Sequence, residues 1–181
     1  QPGRKAGCGH TQEKKSMTKK KMIGLGLLAA LLIMQFFQTD KTTQPVDPKQ
    51  DFIALTRPDA AVEGMLRAAC YDCHSQQTVF PFYTYINPLG WWIGAHVRNG
   101  RKKLDFSQWA SYAPDKQAHK LEECVEEIEK GKMPLGSYTW THGDARLTQE
   151  QRTQLIAWLN ATRMRTGTAE EEHMPAPSDD D

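Results

Sequence analysis

Apolar side chains recur at helical spacing in four segments, and no segment alternates convincingly between apolar and polar residues. The four segments cover residues 58–70, 89–99, 114–130 and 148–162. The connections at 75–88 and 132–146 are long and rich in aromatic residues. The pattern therefore predicts an all-α domain of four helices with long loops.

Residues suited to helix ends mark several of these boundaries. Pro114 is favourable at a first helical position, and Thr148 with Gln151 has the spacing of a capping box. Gly100 and Gly131 follow the last apolar positions of their helices and indicate stops. We therefore expect the second helix to end just before Gly100.

An uncharged apolar run at residues 22–37 follows Lys19, Lys20 and Lys21. A lysine cluster before such a run is typical of exported proteins, whose basic end stays in the cytoplasm. No small-x-small cleavage site follows, so we expect residues 17–37 to form a retained transmembrane signal-anchor; a cleaved signal and a buried core helix are the alternatives. The domain would then be anchored to the cytoplasmic membrane and lie in the periplasm or at the cell exterior.

Composition divides the chain into five segments. These are a leader or upstream sequence at 1–16, the signal-anchor at 17–37, a polar tether at 38–56, the domain at 57–166, and a disordered acidic tail at 167–181. The 23 basic and 22 acidic side chains nearly balance, but residues 1–37 hold seven of the basic side chains and only one acidic one. The domain itself is therefore mildly acidic, and it lacks the basic stripe expected of a nucleic-acid-binding protein.

The motif CYDCH, at residues 70–74, indicates the chemistry. C-x-x-C-H is the attachment signal of c-type haem, in which Cys70 and Cys73 form thioethers and His74 is the proximal iron ligand. Residues three apart on a helix point to the same side, so we expect one turn to present both thiols to one porphyrin edge. The sequence thus predicts a single covalent haem c.

Zinc and a redox disulfide are the competing interpretations of the two cysteines. Zinc needs four ligands, and only Cys124 remains in the domain, with scattered histidines. A thioredoxin-like C-x-x-C follows a strand and opens a helix, whereas this motif closes a predicted helix. Both alternatives are therefore weaker than haem attachment.

From about Val62 to Trp158, the chain resembles the family of small bacterial haem-binding domains built around C-x-x-C-H, found in exported proteins with an N-terminal membrane segment. The resemblance is carried by RAACYDCHS, FPFYTYINPLGWW, HVRNGRKKLDFSQWASY, HKLEE, KMPLGSYTWTHGDARLT and LIAWLN, in that order. More loosely, the segment resembles class I cytochromes c, with a later Met-Pro and a closing helix. Cys124 departs from the pattern, where we would expect an aliphatic residue; we interpret it as a buried free thiol.

The second iron ligand decides what the haem can do. Met133 precedes Pro134 in a loop, as the distal methionine does in cytochromes c, and is our predicted distal ligand. His142 and His96 are the alternatives. A second protein ligand favours electron transfer, whereas an open face allows the iron to bind gases or peroxide.

These observations predict a membrane-tethered, mono-haem c-type cytochrome domain that transfers single electrons to redox partner proteins. We expect an electron carrier rather than an enzyme, with no catalytic residues. The alternative is a peroxidase-like or gas-binding haem protein with an open distal site.

Overall fold

The structure is a computed structural model that describes the backbone of residues 18–171 and the side chains of residues 18–166. Within this range, every regular element is helical and there is no strand, which confirms the all-α prediction. The α-helices are α1 (Lys19–Met34), α2 (Phe52–Thr56), α3 (Ala60–Leu66), α4 (Asp72–His74), α5 (Leu89–Lys103), α6 (Pro114–Glu129), α7 (Gly136–Thr139) and α8 (Gln149–Glu171). A π-helical turn (Arg67–Tyr71) joins α3 to α4, and 3-10 turns lie at Phe82–Tyr85, Phe106–Ser111 and Gly143–Ala145.

Helix α1 belongs to a unit that ends at Gln38, separate from the unit that begins at Thr39. It has 16 residues and leaves its leucines and isoleucines exposed. Along residues 18–171, no helix combines the length and the apolar character that a bilayer crossing requires. The predicted transmembrane helix at 17–37 is therefore not supported by the structure.

The core of the second unit is built on the pairing of α6 with α8. Leu121 and Val125 of α6 and Leu155 and Leu159 of α8 are buried. At one end, an aromatic cluster stacks Phe106 on Tyr71, with ring centroids 5.2 Å apart. Because Tyr71 lies between Cys70 and Cys73, this stacking on Phe106 fixes where the C-x-x-C-H motif sits.

The packed core begins earlier in the chain than residue 57. Phe52 and Ile53 of α2 are buried, although their segment was predicted to be a tether. The backbone N–H of Ile53 donates to the Tyr71 hydroxyl at 3.0 Å, and that hydroxyl donates to Asp51 at 3.3 Å. A helix of only five residues shows no apolar period, which is why the sequence pattern did not reveal α2.

Helix boundaries agree with the prediction except in the first predicted helix, at α5 and at the C-terminus. The helix predicted at 58–70 ends as an α-helix at Leu66, and a π-helical turn and α4 continue it to His74. The capping box is confirmed, since Thr148 N–H donates to Gln151 at 2.8 Å and Gln151 N–H donates to Thr148 at 3.2 Å. Helix α5 runs through Gly100 to residue 103, so Gly100 is not a stop. Helix α8 extends to residue 171, into the segment predicted as a disordered tail; residues 172–181, and the predicted leader at 1–16, lie outside the described residues.

Candidate functional site

The C-x-x-C-H motif begins in the π-helical turn and ends in α4. A π turn contains an extra residue, so positions three apart no longer project to the same side as they do in an α-helix. Cys70 and His74 line a cavity against α6, whereas Cys73 lines a different cleft against α5. The expectation that both thiols face one side is therefore wrong for this conformation.

His74 is held by the segment that follows α5. Its Nδ1 lies 3.2 Å from the carbonyl oxygen of Leu104, and because a carbonyl can only accept, Nδ1–H is the donor. Its ring lies 6.4 Å from that of Phe106, edge to face. Burial lowers the pKa of His74, which favours the neutral ring. The imidazole is thus oriented with Nε2 as its free lone pair, the arrangement a metal-ligating histidine requires.

The cavity against α6, here the α6 cavity, has a volume of about 390 Å³. It brings together Cys70, His74 and Met133, three of the predicted site residues. Cys124 of α6 opens onto the same space. Its charged lining consists of Lys103, Lys120, Lys132, Glu123, Glu126 and Glu127. The α6 cavity therefore combines an imidazole, a thioether, two thiols and cations.

The cleft against α5, here the aromatic cleft, has a volume of about 270 Å³ and an almost entirely apolar lining. It contains Cys73 together with both alternative ligands, His96 and His142. Its walls include Phe80, Tyr83, Trp92, Ile93, Tyr138 and Trp140. The structure thus separates the two alternative histidines from His74 and groups Met133 with it.

Arg101 forms hydrogen bonds with the segment that immediately follows the motif. Its Nε donates to the carbonyl of Ser75 at 2.7 Å, and a terminal nitrogen donates to the Thr78 hydroxyl at 2.7 Å. Thr78 in turn donates to the carbonyl of Asp72 at 2.6 Å. A basic cluster such as residues 98–103 more often forms a solvated face, so sequence reasoning missed this role for Arg101.

Tyr138 ties the loop after Met133 to the motif. Its hydroxyl lies 2.8 Å from Oδ2 of Asp72, to which it donates, and 3.1 Å from the carbonyl of Ala68. Burial, followed by the bond to Asp72, raises the pKa of Tyr138 and keeps the donor proton in place. No spacing in the sequence links residues 72 and 138, so this pair was not predicted.

Gly100 allows α5 to approach the motif closely. A Cβ at this position would lie 2.5 Å from the carbonyl oxygen of Cys73. Non-bonded contacts this short between a Cβ and an oxygen essentially never occur in proteins. Only glycine therefore fits at this position without movement of the backbone. Gly100, which the sequence pattern indicated as a helix stop, is instead needed for the close packing of α5 against the motif.

All three thiols in the described part of the chain are free. Burial raises the pKa of Cys70 to about 12 and that of Cys73 to about 11, so both are protonated near neutral pH. Thiol–disulfide exchange needs a thiolate, and thioredoxin-like sites lower the thiol pKa instead. These environments do not favour the redox-disulfide interpretation.

The donor set of the α6 cavity suits haem. A neutral imidazole and a thioether are iron ligands found together in cytochromes c, and lysines at the cavity can pair with the two carboxylates of the porphyrin. Among residues 18–171, no group of three or more His, Cys, Asp or Glu side chains is placed to hold a metal ion by itself. The geometry therefore favours a porphyrin-bound metal over a zinc site.

Comparison with known proteins gives one match. The haem-binding domain family matches residues 29–161, which include the motif, both cavities and most of α8. No curated protein and no solved structure matches the chain. Since the match covers well over half of the 181 residues, the chain belongs to the haem-binding domain family.

Proposed function

We propose that this haem-binding domain is a mono-haem c-type electron carrier of the cytochrome c class. Cys70 and Cys73 form the thioethers, for which the thiol of Cys73 turns from the aromatic cleft toward the α6 cavity. His74 is the proximal ligand and Met133 is the distal ligand. Redox partner proteins deliver and remove the electrons.

One observation carries this proposal. His74 and Met133 line the same cavity as Cys70, whereas His96 and His142 line a separate cleft. A ligand on the second face of an iron held by His74 must come from the space into which His74 opens. Among the candidates that the sequence offers, Met133 meets that requirement.

Charge supports the same assignment. The porphyrin carries two carboxylates, and burying them without cations is costly. Lys103, Lys120 and Lys132 line the α6 cavity; Lys120 pairs with Glu123 at 2.6 Å and Lys132 with Glu127 at 3.7 Å. Lys103 is therefore the better candidate for carboxylate binding.

The bound haem supplies one-electron iron chemistry, and the chain tunes it. The Nδ1–H bond from His74 to Leu104 keeps the imidazole oriented and raises its basicity as a ligand. Phe106, buried beneath His74, keeps water from that side. A thioether ligand at Met133 stabilises ferrous iron and so raises the reduction potential.

Covalent attachment is tested by expression with periplasmic haem-ligation machinery, followed by a haem stain on a denaturing gel. The wild-type chain should stain, and the double variant Cys70→Ala/Cys73→Ala should not. Cys124→Ala is the matched control, since Cys124 lies in the same cavity but outside the motif; it should stain like wild type. A stained double variant would contradict the proposal.

The distal ligand is tested by carbon monoxide binding and by potentiometry. Met133→Ala should open the ferrous iron to carbon monoxide, lower the potential and abolish the near-infrared band of methionine-ligated ferric haem. Fast binding of carbon monoxide by the wild-type chain would instead indicate an open distal face, and the peroxidase-like or gas-binding function would replace electron transfer.

We also propose that the chain is exported and attached to the cytoplasmic membrane through its N-terminal segment. The support is the lysine cluster at the start of α1 and the exposed apolar surface along that helix. The protein should remain with membranes after a high-salt wash. N-terminal sequencing that starts beyond Gln38 would show a cleaved signal instead.

A further inference from the structure

The proposed haem site uses only one of the residues that line the aromatic cleft, Cys73, and assigns no ligand to the cleft itself. Its lining is almost entirely apolar, yet it stays open to solvent at Trp140, which is 79% exposed, and at Val79, which is 72% exposed. Exposed apolar surface that lines a concavity commonly marks a ligand site. The cleft is therefore shaped to bind an apolar molecule.

Two histidines place hydrogen-bond acceptors in this apolar space. Nδ1 of His96 lies 2.9 Å from the carbonyl of Trp92, and Nδ1 of His142 lies 3.1 Å from the carbonyl of Tyr138. Because carbonyls only accept, each Nδ1 carries a hydrogen, and Nε2 is the ring atom left to accept a hydrogen bond from a ligand. His142 also stacks on Tyr138, with centroids 4.0 Å apart, so its ring orientation is fixed.

The charge of the lining limits what can bind. The described residues that line the aromatic cleft include no lysine or arginine, and Asp72 is among them. An anionic ligand, including a second porphyrin with its carboxylates, would be buried there without a cation. The fitting ligand is neutral, flat enough to stack on aromatic side chains, and able to donate two hydrogen bonds.

We infer that the aromatic cleft binds a quinol, a neutral planar ring with two hydroxyl groups, and that this quinol is the electron donor to the haem. Trp92, Tyr83 and Trp140 contact the ring, and the hydroxyls donate to Nε2 of His96 and His142. The inference rests on the proposed function, because it identifies the source of the electron that the haem carries.

The redox step balances with the groups named. Oxidation of a quinol to the quinone releases two electrons and two protons. Each electron reduces one ferric iron to ferrous, so the single haem is used twice, and a partner protein reoxidises the iron in between. The protons pass from the hydroxyls to the two Nε2 atoms and then to solvent. Cys73 lines the cleft and is a proposed thioether, so the quinol lies next to the attached cofactor.

Binding is tested by calorimetric titration of the haem-loaded protein, reduced beforehand and kept anaerobic, with decylubiquinol, whose hydroxyls can donate to Nε2 of His96 and His142. The wild-type protein should bind, and the double variant His96→Leu/His142→Leu should bind at least about tenfold more weakly, since two hydrogen bonds are lost. Trp140→Ala is a second variant whose wild-type side chain is mostly exposed, so folding should tolerate it, and it should also weaken binding. His119→Leu is the matched control; His119 ion-pairs with Glu123 outside the cleft and should leave binding unchanged.

Electron transfer is measured by mixing decylubiquinol with the ferric protein and following haem reduction. The double variant should be reduced at least tenfold more slowly by the quinol, while reduction by ascorbate should be unchanged. No binding of decylubiquinol, binding unaffected by any cleft variant, or equal displacement by a long-chain alcohol would overturn the inference. Failure of the haem stain or of ascorbate reduction would instead contradict the proposed function, so the two failures are distinguishable.

Discussion

The two cavities that flank the C-x-x-C-H motif differ in charge more than in size. The α6 cavity has a volume of about 390 Å³ and is lined by three lysines and three glutamates. The aromatic cleft has a volume of about 270 Å³ and is lined almost entirely by apolar atoms, with two histidines. These volumes alone do not decide which of the two spaces holds a large cofactor. The distribution of cations and ligands distinguishes a site for a dicarboxylate porphyrin from a site for a neutral molecule.

The two spaces also differ in how they are held to the motif. Helix α5, on the side of the cleft, is fixed by the close approach of Gly100 and by the hydrogen bonds of Arg101. On the other side, Tyr71 of the π turn stacks on Phe106, and the ring of His74 in α4 packs edge to face against the same Phe106. Changes that disturb one support and not the other can therefore test each cavity separately.

The largest effect is expected from the imidazole of the α6 cavity. His74→Ala should abolish the low-spin absorption spectrum of the ferric protein, because the proximal nitrogen ligand is lost. His96→Ala is the matched control and should leave the spectrum unchanged, since His96 lies in the aromatic cleft. Visible spectra of the purified holoproteins give the answer. An unchanged spectrum for His74→Ala, with a change for His96→Ala, would mean that the haem is bound in the aromatic cleft and not in the α6 cavity.

Single cysteine variants sharpen the comparison further, because Cys70 and Cys73 line different cavities. Cys70→Ala and Cys73→Ala should each keep covalent haem through one remaining thioether. In alkaline pyridine, the α band of the reduced haem should move to longer wavelength in both variants, because one vinyl group stays intact. An unshifted band in Cys73→Ala would mean that Cys70 alone attaches the haem.

Gly100→Ala should destabilise the protein by about 1–3 kcal/mol, because the new Cβ would meet the backbone oxygen of Cys73. Gly64→Ala is the matched control, since no atom lies within 4 Å of a Cβ at that position. On α3 it should stabilise by about 0.5–1 kcal/mol. Urea unfolding midpoints should therefore move in opposite directions. A stabilising Gly100→Ala would show that α5 does not press on the motif.

Local patterns in the sequence predicted most of the fold. Helices α5, α6 and α8 followed from apolar periodicity, and the Thr148–Gln151 capping box was correct in both of its hydrogen bonds. Helix α2 was missed because five residues are too few to show a period. Gly100 was interpreted as a stop because a glycine after an apolar helical stretch looks the same whether it ends the helix or packs against a neighbour.

The site was less predictable, because its supports connect distant parts of the chain. The motif identified Cys70, Cys73 and His74, and Met-Pro identified Met133, all from short patterns. The carbonyl of Leu104 that orients His74 lies 30 residues further along, and every residue has a carbonyl, so no sequence signal distinguishes it. The division of Cys70 and Cys73 between two cavities depends on the π turn, which likewise has no recognised signature.

The smallest effect is expected from the hydroxyl that ties the loop after Met133 to the motif. Tyr138→Phe keeps the ring that stacks on His142 and removes only the donor to Asp72, whose other oxygen still accepts from Val79 N–H. One half-buried hydrogen bond to a carboxyl group is lost, so unfolding should become easier by about 1–2 kcal/mol.

The matched control for Tyr138→Phe is Tyr83→Phe, whose hydroxyl donates to Thr141 at 3.2 Å on the exposed surface. Its effect should stay within about 0.5 kcal/mol. The near-infrared methionine band should also weaken in Tyr138→Phe and stay unchanged in Tyr83→Phe, because only the former loosens the connection between the motif and the loop that follows Met133. Equal stability and equal bands in the two variants would mean that the loop is positioned by Pro134 and Leu135 rather than by Tyr138. The α6 cavity and the aromatic cleft would then be structurally independent, with no shared support through Asp72.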